Sequence, residues 1–261
     1  AKSGADLTVV ELEDRMVPRM MNDTAGGLIK DWCGENGVAV HTSTQVVGIE
    51  PNGKALRVNL KSGQVLDADL VVSATGVRPN VDLVAGTGIE TDHGVLVNRH
   101  LQTNDPDVFA AGDVAQGLDF STGEYSVQAI QPTAADHGQL AARNMAGLAG
   151  AEHQGSVNMN VLDTLGLISS SFGLWMGKDG GDSAELLNRD RFRYLNLQFE
   201  DDVLIGATSL GLTQHVGILR GLIQSRVHLA GWKQKLLKDP TRIMEAYLAR
   251  TQALGFNAAV L

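Results

Sequence analysis

The pair Gly112-Asp113 is the feature of this sequence with the clearest chemical potential. It follows a turn and a short apolar run, Val108–Ala111, within the stretch TNDPDVFAAGDVA. The run predicts a short buried strand, which would place Asp113 where that strand ends, the edge at which open α/β sheets bind ligands. There Gly112 would let a ligand approach the backbone, and the Asp113 carboxylate would accept hydrogen bonds from a sugar or polyol but repel a phosphate. The alternative is an ordinary strand-to-turn transition with a solvated aspartate.

Two further motifs lie on either side of this pair. Residues 70–80 read LVVSATGVRPN, which predicts a buried apolar strand running into a tight turn at Ala74-Thr75-Gly76. Residues 128–147 indicate a strand remnant and then a helix, with Pro132 in the first turn, where its missing N–H costs nothing. The free amides at that helix start would favour negative charge on a ligand.

The motifs ATGVRPN (residues 74–80) and TNDPDVFAAGD (residues 103–113), in this order and at this spacing, closely resemble the pyridine-nucleotide-disulfide oxidoreductase superfamily of FAD flavoproteins. Within it, the chain is most similar to NADH-dependent rubredoxin reductases and the flavin domains of nitrite reductases. The resemblance implies an oxidoreductase that passes a hydride from NADH to FAD and electrons onward to an acceptor. That acceptor would be a small electron-carrier protein such as rubredoxin, or a small molecule.

The resemblance also implies roles for individual residues. Asp113 would anchor the ribityl hydroxyls of FAD, and the helix start after Ile130 would face the flavin pyrimidine ring and stabilise its reduced, anionic form. No catalytic residue is predicted. The residues expected to bind the cofactors are Glu11, Thr75, Gly76, Gly112, Asp113, Gln131, Pro132 and Thr133.

The run Leu7–Glu11 ends in a carboxylate, as does the second strand of a dinucleotide-binding unit, where the acid binds the adenine-ribose hydroxyls. The glycine-rich turn expected about 20 residues upstream is absent, because counting back from Glu11 passes the first residue. We therefore expect a missing N-terminal segment. By resemblance, Glu11 favours NADH over NADPH, although the nearby Arg15 complicates that preference. Otherwise, Glu11 is a surface carboxylate.

A function of another class stays open at this point. The polypeptide could be a non-catalytic fragment or a dimerising structural remnant that lacks both dinucleotide-binding loops. Such a chain would lack the amides that neutralise two pyrophosphates. The remaining contacts, at roughly 1.5–3 kcal/mol each, would not hold FAD.

Composition narrows the class of protein. The 261 residues carry a formal net charge of −9 and no basic run, which argues against nucleic-acid binding. Cys33 is the only cysteine, so no intramolecular disulfide can form, and its helical surroundings predict a buried or half-buried thiol. Without a visible signal peptide or an apolar run of about 18 residues, we expect a soluble cytoplasmic protein that does not enter membranes. No metal site is predicted, and His215 and His228 are expected to be packed or surface histidines.

The expected fold class is α/β: partial Rossmann-like nucleotide-binding domains, with a parallel sheet plus an antiparallel meander, then an α+β C-terminal interface domain. Residues 1–75 would form a partial NAD-binding domain without its first strand and glycine-rich turn. Residues 76–150 would form the C-terminal part of an FAD-binding domain, and residues 151–261 an interface domain that mediates a homodimer. Helices are predicted within residues 20–36, along one face of 212–230, and over 241–254.

Overall fold

The structure is a computed structural model that describes residues 4–148 and 151–258. Within this part of the chain, parallel and antiparallel strands form four sheets, accompanied by five α-helices. The predicted α/β class is confirmed.

The N-terminal elements form a small βαβ unit and a meander. Strands β1 (Leu7–Val10) and β2 (Val38–His41) pair in parallel, and α1 (Asp23–Glu35) joins them. The helix begins where Asn22 accepts the Ala25 N–H at 3.0 Å. The antiparallel meander that follows consists of β3 (Val46–Asn52), β4 (Ala55–Leu60) and β5 (Val65–Ala68).

The middle of the chain contains short strands and one long helix. β6 (Val95–Leu96) pairs in parallel with β7 (Ala115–Leu118), which pairs antiparallel with β8 (Tyr125–Ser126). Helix α2 (Gln131–Met145) follows. A single 3-10 turn at Gly112–Val114 leads directly into β7 and contacts α2, so that α2 and the turn are held together.

The C-terminal part is a five-stranded antiparallel sheet covered on one face by helices. Its strands are, in spatial order, β11 (Asp182–Asn188), β12 (Arg193–Glu200), β13 (Val203–Leu210), β10 (Leu167–Gly173) and β9 (Met159–Thr164). The helices are α3 (Val216–Ser225), α4 (Gly231–Lys238) and α5 (Ile243–Ala258). Alternate residues of β12, such as Leu197 and Phe199, are fully buried against Leu222 and Leu236 of the helices.

A second apolar core joins α1 to the C-terminal sheet. Leu28 and Ile29 of α1 belong to the same buried cluster as Tyr194 and Leu210. The Trp32 indole N–H donates to the Thr164 carbonyl at 2.9 Å. Polar contacts reinforce this junction.

The main polar contact at the junction is a short chain of hydrogen bonds. The Asn22 side-chain amide donates to the Tyr194 hydroxyl at 2.7 Å, and that hydroxyl donates to Glu185 at 2.8 Å. Burial raises the pKa of Tyr194 to about 12, so the hydroxyl keeps its proton and can act as both donor and acceptor. The start of α1 is therefore fixed to the sheet by hydrogen bonds as well as by apolar packing.

Two predicted strands are wrong. Residues 69–81 form no strand, and the side chains of Leu70 and Val72 are each 77% exposed. The Val108–Ala111 stretch makes only one isolated bridge, between Gln102 and Phe109, so Asp113 precedes a strand rather than ending one. A short apolar run becomes a strand only beside a neighbour that satisfies its backbone groups, and residues 69–76 have no such neighbour among the described residues.

Two further expectations about secondary structure need correction, and one strand was missed. Residues 128–130 form no strand. The helical face predicted over 212–230 is divided, because Arg226 and Ala230 adopt positive φ angles of 49° and separate α3 from α4. Strand β11 was not predicted, since its sequence, DSAELLN, is largely polar and mostly exposed. Neither the backbone reversals at Arg226 and Ala230 nor the edge strand β11 produces a pattern of apolar residues from which it could be predicted.

The expectations for Cys33, for α1 and for His215 and His228 are confirmed. Cys33 is buried, which raises the pKa of its thiol, and α1 lies within the predicted 20–36 range. His215 is exposed, and the exposed His228 pairs with Asp202. In the part of the chain that the structure describes, no helix has both the length and the apolar character needed to cross a membrane. No group of three or more potential metal ligands converges there either.

Candidate functional site

The turn at Gly112–Val114 packs directly against the start of α2. Gly112 has a φ of +74°, in the left-handed region that glycine occupies without strain. A Cβ at this position would lie 3.3 Å from the Cβ of Ala134, in the first turn of α2. Glycine therefore permits both the backbone conformation and the close approach of turn and helix.

The carboxylate of Asp113 is exposed and has no hydrogen-bond or ion-pair partner among the described residues. It lines a pocket of about 300 Å³ whose opposite wall is the segment that follows the Ala-Thr-Gly motif. The residues that line this pocket are Val77, Arg78, Pro79, Asn80, Leu83, Asp113 and Val114. Two motifs that are far apart in the sequence therefore meet at one site.

This pocket suits a hydroxyl-bearing part of a ligand. Its volume is at the lower end of the range of about 300–1,000 Å³ found for small-molecule sites. The Asp113 carboxylate has free acceptor positions, and the exposed Arg78 also lacks an ion-pair partner among the described residues. A larger pocket of about 640 Å³ lies between α1, β2 and Phe192, but it contains none of the predicted site residues.

The first turn of α2 carries three predicted site residues. Gln131 is exposed, Pro132 is half-buried and Thr133 is 5% exposed. No side chain caps this helix, and Pro132 has no N–H to satisfy. The positive end of the helix dipole therefore lies beside the Gly112 turn without a protein carboxylate bound to it.

A residue that the sequence reasoning missed, His137, links this turn to the rest of the protein. His137 is 3% exposed, and its Nδ1 accepts the Gly112 N–H at 3.4 Å. Its Nε2 lies 3.2 Å from the Ser156 hydroxyl, which lies 3.3 Å from His153 Nε2. The available signal was a polar residue on the face of α2 that also carries Thr133 and Ala141, at helical spacing.

Burial controls the charge of this histidine. Desolvation, with a smaller contribution from the nearby His153, lowers the pKa of His137 to about 4, and Asp136 opposes the shift. The same desolvation lowers the pKa of His153. His137 is therefore neutral at pH 7.

Glu11 lies just after β1, at the start of a loop. Its backbone N–H donates to His41, and its carboxylate accepts the Glu13 N–H at 3.0 Å, which leaves further acceptor positions free. The nearby Arg15 is already occupied: it pairs with Asp14 at 2.8 Å and Asp23 at 2.9 Å. Arg15, the residue expected to complicate a preference for NADH over NADPH, is thus already paired with carboxylates.

Thr75 and Gly76 lie in the exposed segment between these two regions. Gly76 has a φ of +98°, and a Cβ there would lie 3.5 Å from Nη1 of Arg19. The Thr75 hydroxyl lies 3.5 Å from that of Ser73. The Ala-Thr-Gly turn therefore faces the loop that follows Glu11, while the residues immediately after it line the pocket with Asp113.

The predicted residues fall into two groups. In the first group, Asp113 lines the 300 Å³ pocket, and the neighbouring Gly112 packs against Ala134 at the start of α2, the helix that carries Gln131, Pro132 and Thr133. Glu11, Thr75 and Gly76 do not line that pocket; of these, Gly76 lies beside the loop that follows Glu11. Two neighbouring half-sites describe the arrangement better than one continuous site.

Known proteins resemble this chain over part or most of its length. The epsilon subunit of NADH-dependent phenylglyoxylate dehydrogenase from Aromatoleum evansii is 29% identical over 252 residues, which is 96% of this chain and 60% of that protein. Rhodocoxin reductase from Rhodococcus erythropolis is 40% identical over 115 residues, 44% of this chain and 27% of that protein. The crystal structure of an FAD-dependent pyridine nucleotide-disulphide oxidoreductase from Desulfovibrio vulgaris matches with a TM-score of 0.78 at 23% identity, covering 96% of this chain and 66% of that one.

The similarity to the solved structure shows the fold, and a sequence profile shows the family. The chain spans 60% or less of the length of these two curated relatives. The sequence profile described as pyridine nucleotide-disulphide oxidoreductase matches residues 1–138, more than half of the chain. The family resemblance of the two motifs is thereby confirmed, and the chain belongs to the pyridine nucleotide-disulphide oxidoreductase family.

Proposed function

We propose that this chain forms part of an FAD-dependent NADH oxidoreductase that delivers electrons to a separate acceptor. The observation that carries the proposal is the Asp113 carboxylate, which has no partner within residues 4–148 and 151–258 and lines a pocket together with the segment after the Ala-Thr-Gly motif. Membership of the family and the NADH-dependent relative support it. When bound, FAD supplies the exchange of electrons between NADH and that acceptor.

The residues at the turn fit part of such a cofactor. Gly112 keeps the backbone free of a side chain, and Asp113 offers carboxylate oxygens to which ribityl hydroxyls donate. The uncapped start of α2, at Gln131, Pro132 and Thr133, favours negative charge close by. Together they would orient the polyol and stabilise an electron-rich ring, without supplying a proton-transfer group.

The second half-site, at Glu11, would bind the ribose of NADH. Glu11 has free carboxylate oxygen positions that would accept hydrogen bonds from the two ribose hydroxyls of NADH. A 2′-phosphate would meet this negative charge, and Arg15 is held by Asp14 and Asp23 rather than left available. We therefore propose a preference for NADH over NADPH.

The acceptor is proposed to be a small electron-carrier protein, with a small molecule as the alternative. The similarity to rhodocoxin reductase supports a protein acceptor. Cys33 is the only cysteine of the chain, and burial raises the pKa of its thiol, so this chain supplies no dithiol to relay electrons. Residues 1–75, 76–150 and 151–261 are proposed as the nucleotide, flavin and interface parts. A cytoplasmic location and a homodimer stay predictions.

Asp113→Ala in the natural full-length protein tests the proposal. Loss of a charge-assisted hydrogen bond should raise the FAD dissociation constant about ten- to a hundredfold, as measured by flavin absorbance after dialysis at several protein concentrations. Asp107→Ala, which removes an exposed carboxylate outside the pocket, is the matched control and should leave it unchanged.

Equal retention of FAD by both variants would remove Asp113 from the site. If the unmodified full-length protein binds no flavin at all, the chain instead serves the non-catalytic, structural role.

A further inference from the structure

We propose that His137 is a positioning residue for the cofactor-binding turn: its neutral imidazole holds the Gly112 amide and is itself held by Ser156 and His153. The proposal rests on the proposed function as far as FAD is concerned. The hydrogen-bond arrangement itself concerns only residues of this chain, so it can be tested separately.

The Gly112 N–H fixes which atom donates and which accepts in each of these hydrogen bonds. Because the Gly112 amide must donate, His137 Nδ1 must accept, which places the single ring proton on Nε2. That Nε2–H donates to the Ser156 hydroxyl, and the hydroxyl proton is then free to donate to His153 Nε2. One tautomer of each histidine satisfies every contact, so the chain of bonds is fully determined by the Gly112 amide.

The position of Asp113 depends on this arrangement. Gly112 sits in the left-handed region, from which a glycine readily moves because its backbone has few steric restrictions. Three contacts restrict it here: the packing of Ala134, the Ala115 N–H that donates to the Gly112 carbonyl, and the hydrogen bond from the Gly112 N–H to His137. Losing the hydrogen bond would leave a buried N–H unsatisfied and allow the turn, with the Asp113 carboxylate, to move.

Protonation of His137 would break the arrangement. A second ring proton would sit on Nδ1 and point at the Gly112 N–H, so two donors would face each other. Two neighbouring groups act on the protonation of His137 in opposite directions. Asp136 on α2 favours the protonated ring, whereas His153, whose ring lies edge-on at a centroid distance of 4.7 Å, disfavours it. Arg99 acts on His153 in the same sense as burial.

The direction of the pH effect follows from linkage. Burial lowers the pKa of His137 to about 4, so an opening of the turn that admits water to the ring would raise this pKa toward 6.5. Protons therefore bind the open turn more tightly, so the closed arrangement is fully favoured above pH 6.5 and is progressively lost as the pH falls toward 4. FAD held by a closed turn should be released faster as the pH falls through this range.

The experiment uses the natural full-length protein and three variants. His137→Asn keeps an oxygen acceptor near the position of Nδ1 but does not titrate, whereas His137→Leu has no acceptor. His93→Asn is the matched control, because the His93 ring is exposed and has no partner among the described residues. Two quantities are measured: hydrogen–deuterium exchange of the peptide containing Gly112 without FAD, and the rate of FAD release from pH 7.5 to 4.5.

We expect the Gly112 peptide to exchange faster in His137→Leu and to stay protected in His137→Asn. The unmodified protein and His93→Asn should release FAD at least tenfold faster at pH 4.5 than at pH 7.5, because opening is linked to proton uptake. His137→Asn should change less than threefold over this range, and His137→Leu should release FAD about tenfold faster than the unmodified protein at pH 7.5.

The two measurements would give different results if His137 served only to fill space in the protein. If both His137 variants lose protection of the Gly112 peptide equally, or if His137→Asn keeps the acid-dependent release of FAD, the proposal is wrong. If the unmodified protein binds no FAD, the proposed function fails instead, and the exchange measurement alone decides whether His137 holds the Gly112 amide.

Discussion

Two stretches of this chain are rich in apolar residues and lie in opposite environments. In β12, Leu197 and Phe199 are at most 1% exposed, whereas in the segment after β5 Leu70, Val72 and Val77 are 74–77% exposed. β12 lies between β11 and β13, which satisfy its backbone on both edges, while residues 69–77 have no neighbouring strand among the described residues. Apolar burial therefore fixes β12, whereas turns and single hydrogen bonds fix the segments that line the candidate site.

The sharpest test of this difference is the same truncation in both stretches. Leu197→Ala should lower the free energy of unfolding by about 2–5 kcal/mol, because it leaves a cavity in a packed core. Leu70→Ala should change it by less than about 0.5 kcal/mol, because its side chain is already exposed. Denaturant titration of the full-length protein measures both values, and similar losses would show that residues 69–77 are packed in solution.

An intermediate effect is expected where the backbone, rather than burial, fixes the structure. Gly112→Ala should lower the free energy of unfolding by about 1–2 kcal/mol, since an L-residue is strained at a φ of +74°. Gly138→Ala is the matched control in α2: its new methyl group meets nothing within 4 Å, so it should stabilise the helix by about 0.5–1 kcal/mol. Thermal denaturation would contradict the assignment if both changes had the same sign.

The smallest effect on stability, with a clear effect on binding, is expected at Glu11. Glu11→Ala should raise the KM for NADH about three- to tenfold through loss of hydrogen bonds to the ribose, with the flavin content and thermal stability almost unchanged. Glu13→Ala, in the same loop, should leave KM unchanged, because only its backbone N–H contacts Glu11. Loss of flavin without a change in KM would mean that the two half-sites are assigned the wrong way round.

The sequence was most informative where structure is determined locally. The helix predicted within residues 20–36 is present as α1, capped by Asn22, and the predicted antiparallel meander is present as β3–β5, because capping oxygens and turn residues act over a few positions. The apolar run at 70–73 was misleading, since a strand also requires a partner that its own residues do not specify. The split between α3 and α4 depends on positive φ angles at Arg226 and Ala230, two residues that seldom adopt them.

At the site, residue type was easier to infer than its supporting contacts. The motifs indicated Gly112 and Asp113, and the structure places Asp113 in one pocket with residues that follow the Ala-Thr-Gly motif. His137 was missed because its partners, the Gly112 amide and Ser156, are far from it in the sequence. A hydrogen bond between a buried side chain and a distant backbone amide leaves no periodic pattern.

The junction between α1 and the C-terminal sheet has a consequence for synthesis on the ribosome. Asn22 and Tyr194 are 172 residues apart, and Trp32 and Thr164 are 132 apart. At roughly 5–20 residues per second, the nascent α1 waits on the order of 10–30 s before its apolar partners leave the exit tunnel. During that time the part of its apolar face that later packs on the C-terminal sheet is available to chaperones, so slower translation should lengthen this exposure.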